Sequence, residues 1–163
     1  MMRYHDITKD DMLNGDGLRT VLWVAGCSHH CRGCQNPVTW APDGGLLFDG
    51  RAKEELFAQL EKDYIEGVTF SGGDPLFESN RGEITSLAKE IRQKYPDKTI
   101  WLYTGYRWEE IRDLEIAAFV DVIVDGRYIL EERDVTLEWK GSANQRVIDV
   151  KKTLQLGQIV LHA

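Results

Sequence analysis

Hydrophobic positions along the chain fall into two alternating patterns: short unbroken apolar runs, and longer stretches of helical period. Thr20-Val21-Leu22-Trp23-Val24-Ala25, Val68-Thr69-Phe70-Ser71, Thr99-Ile100-Trp101-Leu102-Tyr103-Thr104 and Val120-Asp121-Val122-Ile123-Val124 are of the first kind. Runs this short, rich in β-branched and aromatic residues, predict strands buried on both faces, as in a parallel sheet. Between them, Arg51 to Tyr64 repeats Leu56, Phe57, Leu60 and Tyr64 on one helical face. Gly82 to Tyr95 does the same with Ile84, Leu87, Ala88, Ile91 and Tyr95, and Pro96-Asp97 ends it. A shorter helix is predicted from Trp108 to Leu114. Strand, glycine-bearing loop and helix recur in that order, which implies right-handed βαβ crossovers. The units are too few for a closed eightfold barrel, so the expected fold class is α/β with an open, partial β/α barrel.

The remaining stretches are less regular. Arg3 to Ile7 reads as a short strand or arm, and Asn14-Gly15-Asp16-Gly17 as a turn. Asn36 to Gly50, with Pro37, Pro42, Gly44 and Gly45, reads as a loop that could cover the strand ends. Beyond Arg127 the pattern weakens. Leu137-Glu138-Trp139 and Ile159-Val160-Leu161 are expected as edge strands, with the polar loop Gly141-Ser142-Ala143-Asn144-Gln145 between them.

Composition narrows the function classes. A chain of 163 residues, 42% hydrophobic and 29% charged, is expected to form one domain over residues 1–163. A net charge of −7 argues against nonspecific nucleic-acid binding. No apolar run approaches a membrane span, and the N-terminal residues lack a signal-peptide core. Clustered cysteines without an export signal point to the cytoplasm.

All three cysteines lie in the eight-residue stretch Cys27-Ser28-His29-His30-Cys31-Arg32-Gly33-Cys34. An odd count within one loop is a poor disulfide framework, while thiolates favour soft metals. Cubane iron–sulfur clusters usually take four cysteines, so three would leave one iron open to an exogenous ligand. The alternative is a structural zinc site completed by His29 or His30; otherwise both histidines are expected to be solvated. The loop follows the first core strand, at the end where open α/β sheets place their sites. Gly72-Gly73-Asp74-Pro75, Thr104-Gly105 and Asp125-Gly126 have the same placement after the later strands. Each alone is a plausible turn; together they would ring one mouth of the sheet. Trp40 is placed to pack there, whereas Trp23, Phe70 and Trp101 lie inside strands and read as core.

With these stretches assembled, the chain resembles the radical S-adenosylmethionine enzymes, and within them the activating proteins of anaerobic ribonucleoside-triphosphate reductase. The resemblance runs from Asn14 to about Val147. It rests on Asn14-Gly15-Asp16-Gly17-Leu18-Arg19, the C-x3-C-x2-C spacing with Gly33 and Asn36, and Thr39-Trp40. It continues through Ser71-Gly72-Gly73-Asp74-Pro75-Leu76, Thr104-Gly105-Tyr106, Val124-Asp125-Gly126 and Trp139-Lys140-Gly141-Ser142-Ala143-Asn144-Gln145.

The resemblance implies a partial β/α barrel of the radical S-adenosylmethionine type. It implies one 4Fe-4S cluster on Cys27, Cys31 and Cys34, with S-adenosylmethionine at the open iron. Gly33, Cys34, Gln35, Gly72, Gly73, Asp74 and Thr104 are its cofactor-binding residues, Gly72, Gly73 and Asp74 facing the methionine amino group. Gly73→Val would then exclude S-adenosylmethionine sterically and spare the cluster. Reductive cleavage would give a 5′-deoxyadenosyl radical, which would generate a glycyl radical on the partner, anaerobic ribonucleoside-triphosphate reductase. A small electron donor such as flavodoxin or ferredoxin is implied as well. Gln35 departs from the superfamily pattern, standing where an aromatic residue is frequent, and the tail after Arg146 lies outside the pattern. A formate-lyase-type enzyme is the alternative partner, although its activases usually carry an inserted ferredoxin-like domain that this chain lacks the cysteines to build.

Overall fold

A computed structural model of the chain describes all 163 residues. Its strands are β1 (Arg3–Asp11), β2 (Arg19–Val24), β3 (Leu46–Leu47), β4 (Gly67–Gly72), β5 (Thr99–Tyr103), β6 (Val122–Asp125) and β7 (Arg146–Asp149). They form one sheet in the order β3-β1-β2-β4-β5-β6-β7. The sheet is open, because β3 and β7 lie at opposite edges. Neighbours from β2 through β4 and β5 to β6 pair parallel, while β1, β3 and β7 add antiparallel edges.

The parallel strands are the four apolar runs, and the helices α1 (Gly50–Leu60) and α2 (Arg81–Lys94) connect them. Leu22, Val24, Val68, Phe70, Ile100, Leu102 and Ile123 share one core with Leu56, Phe57 and Leu60 of α1 and Ile84, Leu87, Ala88 and Ile91 of α2. Each of these large side chains, taken from water, contributes on the order of 1.5–3 kcal/mol. Asp49 caps α1 by accepting from the Ala52 N–H at 3.0 Å. The helix stops at Leu60, short of the expected Tyr64, which is 53% exposed. Tight turns at Lys62 and Ile65 reverse the chain toward β4, and Ile65 takes the buried place instead.

The other sheet face carries Trp101, Val122 and Val124, packed against Tyr103, Trp139 and Val147. At the N-terminal ends of the strands it is plugged by Arg19, which is 0% exposed. Its guanidinium donates to Thr69 Oγ1, Thr99 Oγ1 and the carbonyls of Asp16, Val68 and Thr99. Burial lowers its pKa to about 10. Gly15 has φ +129°, and a Cβ there would lie 2.8 Å from Arg19 Cδ and 2.9 Å from Trp101 Cδ2. The turn therefore needs glycine beside the plug.

The edges differ from expectation. Leu137–Trp139 is irregular chain, and Leu161 makes only an isolated bridge to Ile148. The C-terminal edge strand is instead β7, followed by α4 (Val150–Leu156). Arg146 fixes it, binding Asp125 on β6 and Glu109 on the short helix α3 (Trp108–Ile111). No helix is long and apolar enough to cross a membrane.

Asp121, just before β6, accepts from Ile100 N–H at 2.8 Å and pairs with Arg92 and Lys151. Burial acts to raise its carboxyl, but these hydrogen bonds outweigh burial and hold it below the usual carboxylate range. Its stabilising effect is therefore complete above the unfolded-state pKa of about 3.9 and is lost as pH falls through the lower folded-state value. Asp121→Asn is expected to destabilise the protein by roughly 2 kcal/mol at neutral pH and to flatten the acid limb. Urea midpoints measured from neutral to acid pH check this; an unchanged acid limb would contradict it.

Candidate metal and cofactor site

The expected mouth exists. Cys27, Cys31, Cys34, Gly72, Gly73 and Thr104 all line one cavity of about 150 Å³ at the C-terminal ends of β2, β4 and β5. Gly126 closes it from the end of β6, and Trp40 from the loop after the cysteines. Typical small-molecule sites measure about 300–1,000 Å³. A ligand the size of a nucleoside would thus extend beyond this cavity, along the open strand ends.

Backbone hydrogen bonds set the loop on the sheet. Gly26 N–H donates to Thr39 O at 2.7 Å, Cys27 N–H to Trp40 O at 3.0 Å, and Asp74 N–H to Gly26 O at 2.7 Å. Gly72 and Gly73 are demanded by this packing. A Cβ on Gly72, which has φ +101°, would lie 2.5 Å from Val24 N and O. One on Gly73 would lie 2.5 Å from Gly26 O and 2.7 Å from Thr39 O. A side chain at Gly73 would therefore strike the base of the cysteine loop rather than merely occlude a ligand. Gly73→Val is therefore expected to disturb the cysteine loop as well as any ligand.

Three predicted site residues stand outside the cavity lining. Gly33 and Gln35 are exposed on the loop. Asp74 is 1% exposed and lies beneath the cavity wall. Its Oδ2 accepts from His29 Nε2 at 2.7 Å, Thr104 Oγ1 at 3.0 Å and Gly105 N–H at 3.0 Å, and its Oδ1 from Leu76 N–H at 2.9 Å. Contrary to the expected solvated position, the His29 side chain is only 4% exposed. The sequence signal was only a histidine between two cysteines, because its partner Asp74 lies 45 residues away. His30 is exposed and stacks on Trp40 at 4.5 Å. Tyr103, Tyr128 and Gln145 also line the cavity. Of these, Gln145 belongs to a stretch that sequence alone marked but gave no role.

The donor set fits a cluster better than a single zinc ion. No three His, Cys, Asp or Glu groups converge to hold one metal ion. His29 has no free nitrogen to offer, since Nδ1 accepts from Arg127 Nε at 3.1 Å while Nε2 is held by Asp74. A cubane asks less, because each iron takes its own thiolate. Three thiols opening into one cavity meet that demand. Burial pushes the Cys27 thiol up, against the backbone N–H groups of His29 and His30; a bound metal would reverse this and hold the thiolate.

Comparison with known proteins agrees. Residues 13–148 match the family described as a 4Fe-4S single cluster domain. The anaerobic ribonucleoside-triphosphate reductase-activating protein of Enterobacteria phage T4 is 45% identical over 148 residues, covering 90% of this chain and 93% of that one. The chain belongs to this family of activating proteins. The Vibrio cholerae serotype O1 member is 40% identical over 88% of this chain and 96% of its own length. The Escherichia coli K12 member is 37% identical over 90% and 97%. The 4Fe-4S domain match runs from just before the Asn14 turn to Ile148 in β7. It thus spans every strand end that lines the cavity.

Proposed function

We propose that this chain is the activase of an anaerobic ribonucleoside-triphosphate reductase, working by radical S-adenosylmethionine chemistry on a partial β/α barrel formed as a single domain. The observation that carries the reading is the convergence of three thiols and the Gly72-Gly73 turn on one cavity at the strand ends. Cys27, Cys31 and Cys34 would hold a 4Fe-4S cluster. The chemistry such a cluster would supply is one-electron reductive cleavage of S-adenosylmethionine to methionine and a 5′-deoxyadenosyl radical, which would take a hydrogen atom from a partner glycine Cα. The protein's part is position and exclusion of water. Thr104 and the strand-end glycines Gly72, Gly73 and Gly126, which line the cavity, would lie along the bound ligand. Gly33 and Gln35, exposed on the loop, would meet the part of the ligand that leaves the cavity.

The small cavity and open sheet leave one side without a wall, and we assign that side to the partner. Hydrogen transfer needs the reacting atoms within roughly 3–3.5 Å, so the partner's glycine segment must enter the gap. Exposed apolar side chains stand close in sequence to two residues that line the cavity, Val38 beside Trp40 and Ile129 and Leu130 beside Tyr128. The electron would come from a cytoplasmic donor of the flavodoxin or ferredoxin type. The names of the relatives favour the reductase over a formate-lyase-type partner.

The test mixes reduced, cluster-loaded protein with S-adenosylmethionine and the reductase, and records an electron paramagnetic resonance spectrum. A glycyl doublet on the reductase, absent when its glycine is replaced by alanine, is expected. A doublet appearing only on a formate-lyase-type enzyme would move the assignment to that partner.

A further inference from the structure

The stretch from the first to the third cysteine has one buried side chain, and it is not a thiol. Ser28, His30, Arg32 and Gly33 are exposed, whereas His29 is 4% exposed. Its ring lies against Gly105, where a Cβ would come 2.5 Å from His29 Cδ2, and meets Tyr106 edge-on at 4.7 Å. Its tautomer follows from its neighbours. Arginine has only donors, so Arg127 Nε must donate to Nδ1, at 3.1 Å. The proton is then on Nε2, which donates to Asp74 Oδ2 at 2.7 Å. Thr104 Oγ1 and Gly105 N–H donate to the same oxygen, so the carboxylate ties the cysteine loop to the ends of β4 and β5.

We infer that His29, held by Asp74, is a positioning residue that fixes Cys27 and Cys31 for the cluster, and that Asp74 acts through His29 rather than by touching the ligand. Two features support this. Asp74 does not line the cavity, and its oxygens already hold four donors. His29 stands two residues from each cysteine, so anchoring its ring fixes the backbone that carries both. Groups that orient a metal's ligands are worth about 10–100-fold in metal affinity. The inference rests on the cluster reading of the site.

The test compares the full chain with His29→Ala, His29→Gln, Asp74→Asn and the Ala/Asn double variant, each reconstituted anaerobically with iron and sulfide. Iron per chain, the rate of iron loss to a chelator and the spectrum of the reduced cluster are read. His29→Ala is expected to lose iron about tenfold faster and to broaden the spectrum. Gln places an amide N–H as many bonds from Cβ as Nε2 in histidine, so His29→Gln should return the rate to within about twofold of wild type, on the same scale. If the pair acts as one brace, Asp74→Asn should cost less iron retention in the His29→Ala background than in the wild type, the remainder being what Asp74 contributes through Thr104, Gly105 and Leu76. Loaded His29→Ala as robust as wild type, a Gln variant as poor as Ala, or additive single effects would overturn the inference. Wild-type chain that takes up no iron would instead sink the cluster reading itself.

Discussion

Replacing Cys27, Cys31 or Cys34 by alanine, one at a time, is expected to abolish the iron–sulfur chromophore in every case and leave the fold standing. Two thiolates are too few for a cubane that usually takes four and here would have three. The fold should survive because the three side chains sit on a loop beyond β2, outside the sheet core. A change of about 1 kcal/mol is typical of such a site. For a chain of this size that lowers Tm by about 4 °C at most. Iron and sulfide analysis with visible absorbance reads the first effect, and thermal melts of the metal-free proteins read the second. A variant that keeps a full cluster would show that its cysteine is not a ligand.

The second large effect is expected at Gly73. Valine there would drive its Cβ into the carbonyl oxygens of Gly26 and Thr39, both backbone atoms with no side-chain freedom to yield. Those residues close the base of the cysteine loop through the Gly26 N–H to Thr39 O bond of 2.7 Å. Overpacking of this kind costs about 1–3 kcal/mol, and here the strain falls on the segment that carries the thiols. Gly73→Val should therefore lose iron retention and thermal stability together. Gly82→Ala is the control: nothing lies within 4 Å of its added Cβ, and alanine in a helix gains roughly 0.5–1 kcal/mol over glycine. Gly73→Val with wild-type iron content but no affinity for S-adenosylmethionine would restore the simpler picture of a ligand-facing glycine.

The four parallel strands were legible because each is buried on both faces and so reads as an unbroken apolar run. Their glycine-bearing ends were legible for the same reason, since a turn must follow each run. β7 was not. Arg146-Val147-Ile148-Asp149 is an edge strand of only four residues, and Arg146 is drawn there by Asp125 and Glu109 rather than by any local pattern. Leu137-Glu138-Trp139 has the composition of a strand, yet Trp139 takes φ +67° and packs its ring on Trp101 instead. The cysteines announced themselves by spacing. The pairing of His29 with Asp74 did not, because it is a contact between segments that follow two different strands.

The central claim is that this chain couples a cluster on three cysteines to cleavage of S-adenosylmethionine. It is tested most directly by anaerobically reconstituting the protein, adding dithionite and S-adenosylmethionine, and quantifying 5′-deoxyadenosine by chromatography, with and without the reductase. The account predicts 5′-deoxyadenosine and methionine in equal amounts from wild type, and none from Cys27→Ala, Cys31→Ala or Cys34→Ala. Fully iron-loaded wild-type protein that yields no 5′-deoxyadenosine under either condition would contradict it.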